Sequence, residues 1–327
     1  MTTMLAALYE RSGAAGDVLR VREIARPEPA AGQVRVRIAV SAINPTDVKI
    51  RAGLTPRPID DFQVPHMDGA GTIDAVGDGV DAGRIGERVW VQLAAHDNRY
   101  GTAAQWCVVP ADRAVPLAPN ASFALGATLG VPAVTAAHCL FADGPLDGRR
   151  VLVAGGAGAV GRAAVQLAHW AGAHVAATVS TEEKAAIARG AGAEFVVSYR
   201  LPDVVDRLRE WASRFDRIIE LDLGANLELD LAVSGYGTTI VVYAAAPGED
   251  PQFPVRRLMN AQARLQFMIL YGVPAADRAT AVAHVQRAVA EHAITMPPAQ
   301  HFALERIAEA HAAQEAGPFG RVLIDIP

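Results

Sequence analysis

Residues 151–168 read VLVAGGAGAVGRAAVQLA, and this stretch decides the fold. Its first four residues form a short apolar run, as in a buried strand. From Arg162 onward the spacing of apolar residues is that of a helix. Between the two, Gly155, Gly158 and Gly161 make a Gly-x-x-Gly-x-x-Gly frame. Glycine permits the tight turn, lets backbone N–H groups approach a pyrophosphate, and lets the helix pack on the strand. The helix N-terminus then turns its partial positive charge toward the anion. A strand before and a helix after are the context that a dinucleotide-binding loop requires. We therefore expect Gly155, Gly158, Ala159, Val160 and Gly161 to hold a dinucleotide.

Outward from this loop, apolar runs at 174–179, 195–198, 217–221 and 239–243 read as strands separated by helical segments. Such alternation means βαβ units and a parallel sheet. The first 125 residues have another texture, rich in strands and turns. Residues 34–40 alternate Val, Arg, Val, Arg, Ile, Ala, Val, the period of a half-buried strand. Glycine-rich strands follow at 69–80 and 86–91, as in a small barrel with tight corners. Residues 274–327 hold two amphipathic helices and a closing strand at 321–326. The expected class is α/β, a β-barrel domain plus a doubly wound parallel-sheet domain.

A chain of 327 residues with 51% hydrophobic and 20% charged residues has room for one large or two ordinary globular domains. Basic residues number 30 and acidic residues 35, a net charge of −5, which argues against nucleic-acid binding. Cys107 and Cys139 are too few for a disulfide framework or a four-thiolate zinc site. The N-terminal residues lack the basic and apolar regions of a secretory signal, and no long apolar run suits a membrane. The expectation is a soluble cytoplasmic protein. Of the 30 basic residues, 28 are arginine; the lysines are Lys49 and Lys184.

NAD sites place a carboxylate at the end of the second strand to hold the ribose 2′-hydroxyl. Here that strand runs into Val179, Ser180 and Thr181, and Lys184 follows one helical turn later. A hydroxyl and an ammonium suit a 2′-phosphate, so NADPH is the expected cofactor. Glu182 and Glu183 also lie here, in a first helical turn, where carboxylates complement the helix dipole.

These motifs together resemble the zinc-free quinone oxidoreductase (zeta-crystallin-like) branch of the medium-chain dehydrogenase/reductase superfamily. The resemblance runs end to end, through AINPTDVKIRAG at 42–53, DGAGTIDAVG at 68–77, GERVW at 86–90, the glycine loop, VSTEEK at 179–184 and GPFGRVLIDI at 317–326. It implies a GroES-like barrel from both ends of the chain, residues 1–122 and 265–327, around a Rossmann NADP-binding domain at 123–264. It carries the 2′-phosphate contacts to Ser180, Lys184 and Tyr199. Val131, Thr135, Tyr243 and Ala244 match positions near the nicotinamide, and Phe319 and Arg321 match a C-terminal segment near the cofactor. It also implies a homodimer, for which residues 265–269 offer an edge strand.

Zinc-dependent relatives carry Cys-x-x-Asp where this chain has Asn44-Pro45-Thr46-Asp47. Their ligand histidine falls on Met67, and His66 is one residue early, where a strand or turn would aim it elsewhere. Two ligands are thus replaced, and no metal is expected. Without zinc to stabilise an alkoxide, alcohol oxidation is disfavoured. A conjugated carbonyl or quinone needs only positioning and a hydrogen bond to the developing oxyanion. Asn44 is the first candidate donor; the competing reading makes it a turn residue before Pro45. Lys49 stands where several quinone reductases have tyrosine, and could bind an enolate or attract an anionic substrate; the competing reading is a solvated side chain. Tyr100 is a weaker candidate acid, and Asp47 reads as a structural acceptor. Loops 54–63 and 94–100 should shape the pocket. The function expected is reduction of a quinone or α,β-unsaturated carbonyl compound by NADPH. The alternatives are an enoyl-thioester reductase and a non-enzymatic NADPH-binding structural or RNA-binding protein.

Overall fold

The computed structural model describes residues 2–245 and 251–327. The chain divides into two compact units, Met1–Val131 with Thr295–Pro327, and Pro132–Ile294.

The first unit is built on Gln33–Ile43, the long alternating strand. Val34, Val36 and Ile38 point into a core shared with Ile73, Val89 and Val109. Between them, Arg35 is buried and bound to Asp74 at 2.8 Å. The strand pairs antiparallel with Asp68–Val76, Trp106–Pro110 and Arg321–Asp325. Arg88–Val91 and Ala114–Pro116 extend the sheet on one side, and Ala299–Ala303 on the other. Thr3–Leu8 and Arg20–Ala25 form a separate two-stranded sheet. Both ends of the chain therefore meet in one β unit.

The second unit is a six-stranded parallel sheet. Its order is Phe195–Ser198, His174–Val179, Arg150–Val153, Phe215–Glu220, Ser234–Val242 and Arg264–Phe267. Numbered along the unit this is 3-2-1-4-5-6, the doubly wound order, which reverses beside Arg150–Val153.

The boundary differs from that read in the sequence. The chain returns to the first unit at Thr295, not at residue 265. Arg264–Phe267 completes the parallel sheet, and helix Ala275–Ala290 packs on helix Ala159–Trp170. Aromatic and ionic contacts hold it there: Phe141 stacks on His284 at 4.1 Å, and Trp170 Nε1 donates to Glu291 at 2.7 Å. An amphipathic helix pattern does not say which of two domains the apolar stripe will cover. Among the described residues no helix is long and apolar enough to cross a membrane.

Candidate active site

Helix Pro45–Ala52 begins with proline, whose fixed φ suits a first helical position. Asn44 precedes it in extended backbone as the N-cap. The Asp47 carboxylate accepts the Asn44 N–H at 2.7 Å and the Met67 N–H at 3.1 Å. The Asn44 side chain bonds elsewhere. Its Nδ2 donates to Asp68 Oδ2 at 2.8 Å, and its Oδ1 accepts from Arg321 Nη2 at 3.0 Å. Asp68 in turn accepts the Val131 N–H with both oxygens, at 2.9 and 2.8 Å, where helix Gly130–Phe141 starts. A Cβ on Gly130 would fall 2.1 Å from Asp68 Oδ1, so only glycine lets that carboxylate reach the helix. Asn44, Asp47, Asp68 and Arg321 are all buried. Asp47 is thus a structural acceptor, and Asn44 does more than shape a turn.

The charges of two carboxylates and one guanidinium act on one another here, and burial acts on all three. Burial pushes Asp47 up to about 8; the charge of Asp68 adds to this, while the two N–H bonds and Arg321 oppose it. Burial pushes Asp68 up to about 6, against the Asn44 hydrogen bond, Arg321 and Val131. Burial lowers Arg321 from its usual range, against the pull of both carboxylates.

The two replaced zinc-ligand positions are an amide and a thioether, which do not fit a zinc ion. Met67 is buried, and His66 has both ring nitrogens engaged, Nδ1 with Ser41 Oγ at 2.8 Å and Nε2 with His311 Nε2 at 2.9 Å. Its backbone has φ +79°, the left-handed region, which turns the ring away from the strand that follows. Among the described residues no group of three or more His, Cys, Asp or Glu could hold a metal.

A narrow cavity with room for about a water molecule lies beside this cluster, lined by Tyr9, Asp47, His66 and Met67. Arg57, Ile59 and Ala95, from loops 54–63 and 94–100, also line it. Sequence reading missed Tyr9, a buried tyrosine whose hydroxyl burial pushes up to about 12. A tyrosine in an N-terminal strand carries no signal of its destination. Tyr100, the tyrosine that was expected, packs edge-on to Phe62 at 6.0 Å and does not line the cavity. Lys49 is exposed in the last turn of helix Pro45–Ala52 and does not line it either.

In the second unit Gly155 follows strand Arg150–Val153 with φ +65°, a conformation that makes glycine the natural residue. Gly158 is the N-cap of helix Ala159–Trp170 and offers no capping side chain. The first N–H groups of that helix, at Ala159, Val160 and Gly161, are left for an external acceptor, which suits a pyrophosphate. Ser180 and Tyr199 follow the carboxyl ends of adjacent parallel strands, with Val179 in register with Ser198. The Tyr199 N–H binds Val179 O at 3.0 Å. Lys184 lies in the first turn of helix Glu182–Gly190, its N–H capped by Thr181 Oγ1 at 3.3 Å. Glu182 is held by Arg189 at 2.6 Å, and the Thr181 side chain engages Glu183, so neither carboxylate is idle beside Lys184. Arg200, to which the sequence assigns no site role, carries its guanidinium 6.0 Å from the Tyr199 ring.

The remaining expected cofactor residues are scattered over the fold. Val131 gives its N–H to Asp68, and Thr135 is buried on the same helix. Tyr243 and Ala244 follow strand Ser234–Val242, with the Tyr243 N–H on Glu220 O at 3.1 Å. Phe319 is exposed before strand Arg321–Asp325. Arg321 is buried against Asn44. Glu220 was also missed. Its carboxylate accepts N–H groups from Leu221, Asp222 and Asn226. It also meets the buried Asp230, whose oxygens have no N–H donor. Burial raises both acids, and the charge of Glu220 raises Asp230 further, so Asp230 is the member of the pair that holds a proton.

Comparison with known proteins agrees with this architecture. The zinc-binding dehydrogenase family model matches residues 159–287, and the alcohol dehydrogenase GroES-like domain model matches residues 30–119. Human quinone oxidoreductase is 32% identical over 231 residues, 69% of each chain. A solved NAD-dependent alcohol dehydrogenase superposes with a TM-score of 0.90 at 26% identity, over 99% of this chain and 100% of that one. A mycobacterial protein solved in complex with NADPH superposes with a TM-score of 0.83 at 26% identity, over 98% and 99% of the two chains.

Proposed function

Because the chain belongs to the medium-chain dehydrogenase/reductase superfamily, among the quinone oxidoreductases, and is therefore an oxidoreductase, we propose that it reduces a quinone or an α,β-unsaturated carbonyl compound with NADPH, without a metal. The observation that carries this reading is the Asn44 amide, fixed by two charged partners where zinc-dependent relatives have a thiolate.

When bound, the nicotinamide supplies the hydride. The chain's own residues do the rest. The loop of Gly155, Gly158 and Gly161 receives the pyrophosphate, and Ser180, Lys184 and Tyr199 receive the 2′-phosphate. Asn44 donates an N–H to the oxygen on which negative charge develops; one such donor is worth about 2.7–4 kcal/mol in a preorganised site. A quinol or enolate spreads that charge, so a neutral donor is enough. Lys49, exposed in the last turn of helix Pro45–Ala52, attracts anionic substrates. The protein works as a cytoplasmic homodimer. The NADPH-bound relative and the absence of an acidic residue at Ser180 support the choice of cofactor, and the quinone oxidoreductases support the substrate class.

The test is NADPH consumption with 1,2-naphthoquinone, an enone and crotonyl-CoA in parallel, before and after exhaustive chelation. Turnover of the quinone or enone, unchanged by chelation, is expected. Turnover of crotonyl-CoA alone would move the reading to a thioester reductase. Turnover restored only by added zinc would overturn it.

A further inference from the structure

We infer that Arg321 is a positioning residue: together with Asp68 it holds the Asn44 carboxamide in one orientation, leaving a single Nδ2–H as its unspent donor. The inference rests on the proposed carbonyl reduction and names what makes Asn44 fit for it.

A carboxamide has two N–H donors on one side and an acceptor oxygen on the other. Left alone it turns over easily, and the two ends look alike in shape. Here its surroundings are of opposite chemistry. The Arg321 guanidinium can only donate, and it meets Oδ1 at 3.0 Å. The ionised Asp68 carboxylate can only accept, and it meets Nδ2 at 2.8 Å. A flipped amide would set N–H against guanidinium and oxygen against carboxylate, losing two charge-assisted bonds and gaining two repulsions. The arrangement therefore admits one rotamer.

Adjacent strands supply the partners. Arg321 opens strand Arg321–Asp325, where Val322 pairs with Ile43, so Arg321 lies across from Asn44. Asp68 opens the neighbouring strand, in register with Ala42. The Arg321 N–H is fastened to Pro298 O at 2.8 Å. Its guanidinium is buried, with Nε making no hydrogen bond. A side chain buried at such a desolvation cost, whose hydrogen bond goes to the Asn44 amide with the charges of Asp68 and Asp47 nearby, serves that cluster. Asn44 then has one donor left for a substrate oxygen. That choice favours an oxygen gaining negative charge over a hydroxyl that must lose its proton.

The test uses the full chain and two readouts. The side-chain amides of the five asparagines are labelled with nitrogen-15, and the Asn44 pair is identified by its loss in Asn44→Ala. The expected result is slow solvent exchange of the Asn44 Nδ2 protons, accelerated at least about tenfold in Arg321→Met. In the kinetic readout, Arg321→Met lowers kcat with the accepted quinone or enone about 10–100-fold, but less than about threefold when Asn44 is already alanine. The Kd for NADPH stays within about threefold, and Arg321→Lys recovers part of kcat. Equal kcat losses in both backgrounds would overturn the inference. So would a tenfold or larger rise in the NADPH Kd at unchanged kcat, roughly the effect of a lost ionic contact, which would return Arg321 to the cofactor. If the wild type reduces none of the substrates, the proposed function fails by itself, and unchanged Asn44 exchange in Arg321→Met still decides against the positioning. If Arg321→Met does not fold, Arg321→Lys carries both readouts: faster exchange with a kcat loss that needs Asn44 supports the inference, and wild-type values overturn it.

Discussion

His66 and His311 face each other Nε2 to Nε2 at 2.9 Å, both buried in the first unit, with one proton between them. The donor can be identified by following the bonds outward. Thr102 Oγ1 gives its proton to Asp68 O at 2.6 Å. Ser41 Oγ must then donate to Thr102 at 2.7 Å, and so accepts from His66 Nδ1 at 2.8 Å. A neutral His66 protonated on Nδ1 has a bare Nε2, so His311 is the donor. Its own Nδ1 is left buried without a partner.

This pair makes the fold sensitive to acid. Burial, with Arg51 nearby, lowers His311 from 6.5 to about 3, and His66 is lowered too. The folded state thus binds fewer protons than the unfolded one between those values. Its stability is fully present above 6.5 and is lost as pH falls toward about 3. His311→Gln keeps an N–H toward His66 and removes one titrating ring. We expect its melting temperature to fall less steeply with acid than that of the wild type. Parallel curves would rule out this role.

Asp230 sets a limit of the opposite sign. Its folded state holds a proton against Glu220, so its contribution is present below the ordinary carboxylate range and is lost as pH rises through the folded value. Asp230→Asn donates to Glu220 at every pH. We expect the variant to gain stability on the wild type as pH rises above the ordinary carboxylate range, by urea denaturation at each pH. An equal pH slope in the two proteins contradicts the shared proton.

Lys184→Glu places a carboxylate where the 2′-phosphate is proposed to bind. The NADPH Kd should rise at least about tenfold more than the NADH Kd, the cost of replacing attraction by repulsion at one charged contact. Fluorescence titration of both cofactors measures it. Equal weakening of the two removes the phosphate assignment.

Strand Arg264–Phe267 is the sheet's edge, with Phe267 62% and nearby Ile269 64% exposed. Unpaired edges with apolar side chains are rarely left open to water. We expect a dimer by sedimentation, and a monomer for Phe267→Glu. A wild-type monomer at micromolar concentration refutes this interface.

The parallel unit was legible because its signals are local. The glycine loop, the strand before it and the helix after it lie within 21 residues, Arg150 to Trp170, and each following strand is an apolar run with helix between. The 34–40 alternation likewise gave its strand and buried face. Partnerships across the chain were not legible. Arg321 reads as one more arginine at a strand start, and nothing near it says that its guanidinium meets Asn44, 277 residues away. His66 and His311 are 245 residues apart, and Tyr9 and Asp230 have equally plain surroundings. Such contacts are set by how sheets close and helices dock. The domain boundary at Thr295 escaped for the same reason.

The 277 residues between Asn44 and Arg321 also have a meaning in time. Ribosomes add roughly 5–20 residues per second, so Arg321 emerges about 14–55 s after Asn44. Throughout that interval the nascent first unit lacks the strand that pairs with residues 40–43, and Asp47 and Asp68 lack their cation. The second unit, made from consecutive residues, can assemble on the ribosome meanwhile. The early β segment therefore stays without one of its pairing strands through most of synthesis, and the Asn44 cluster is complete only when strand Arg321–Asp325 arrives.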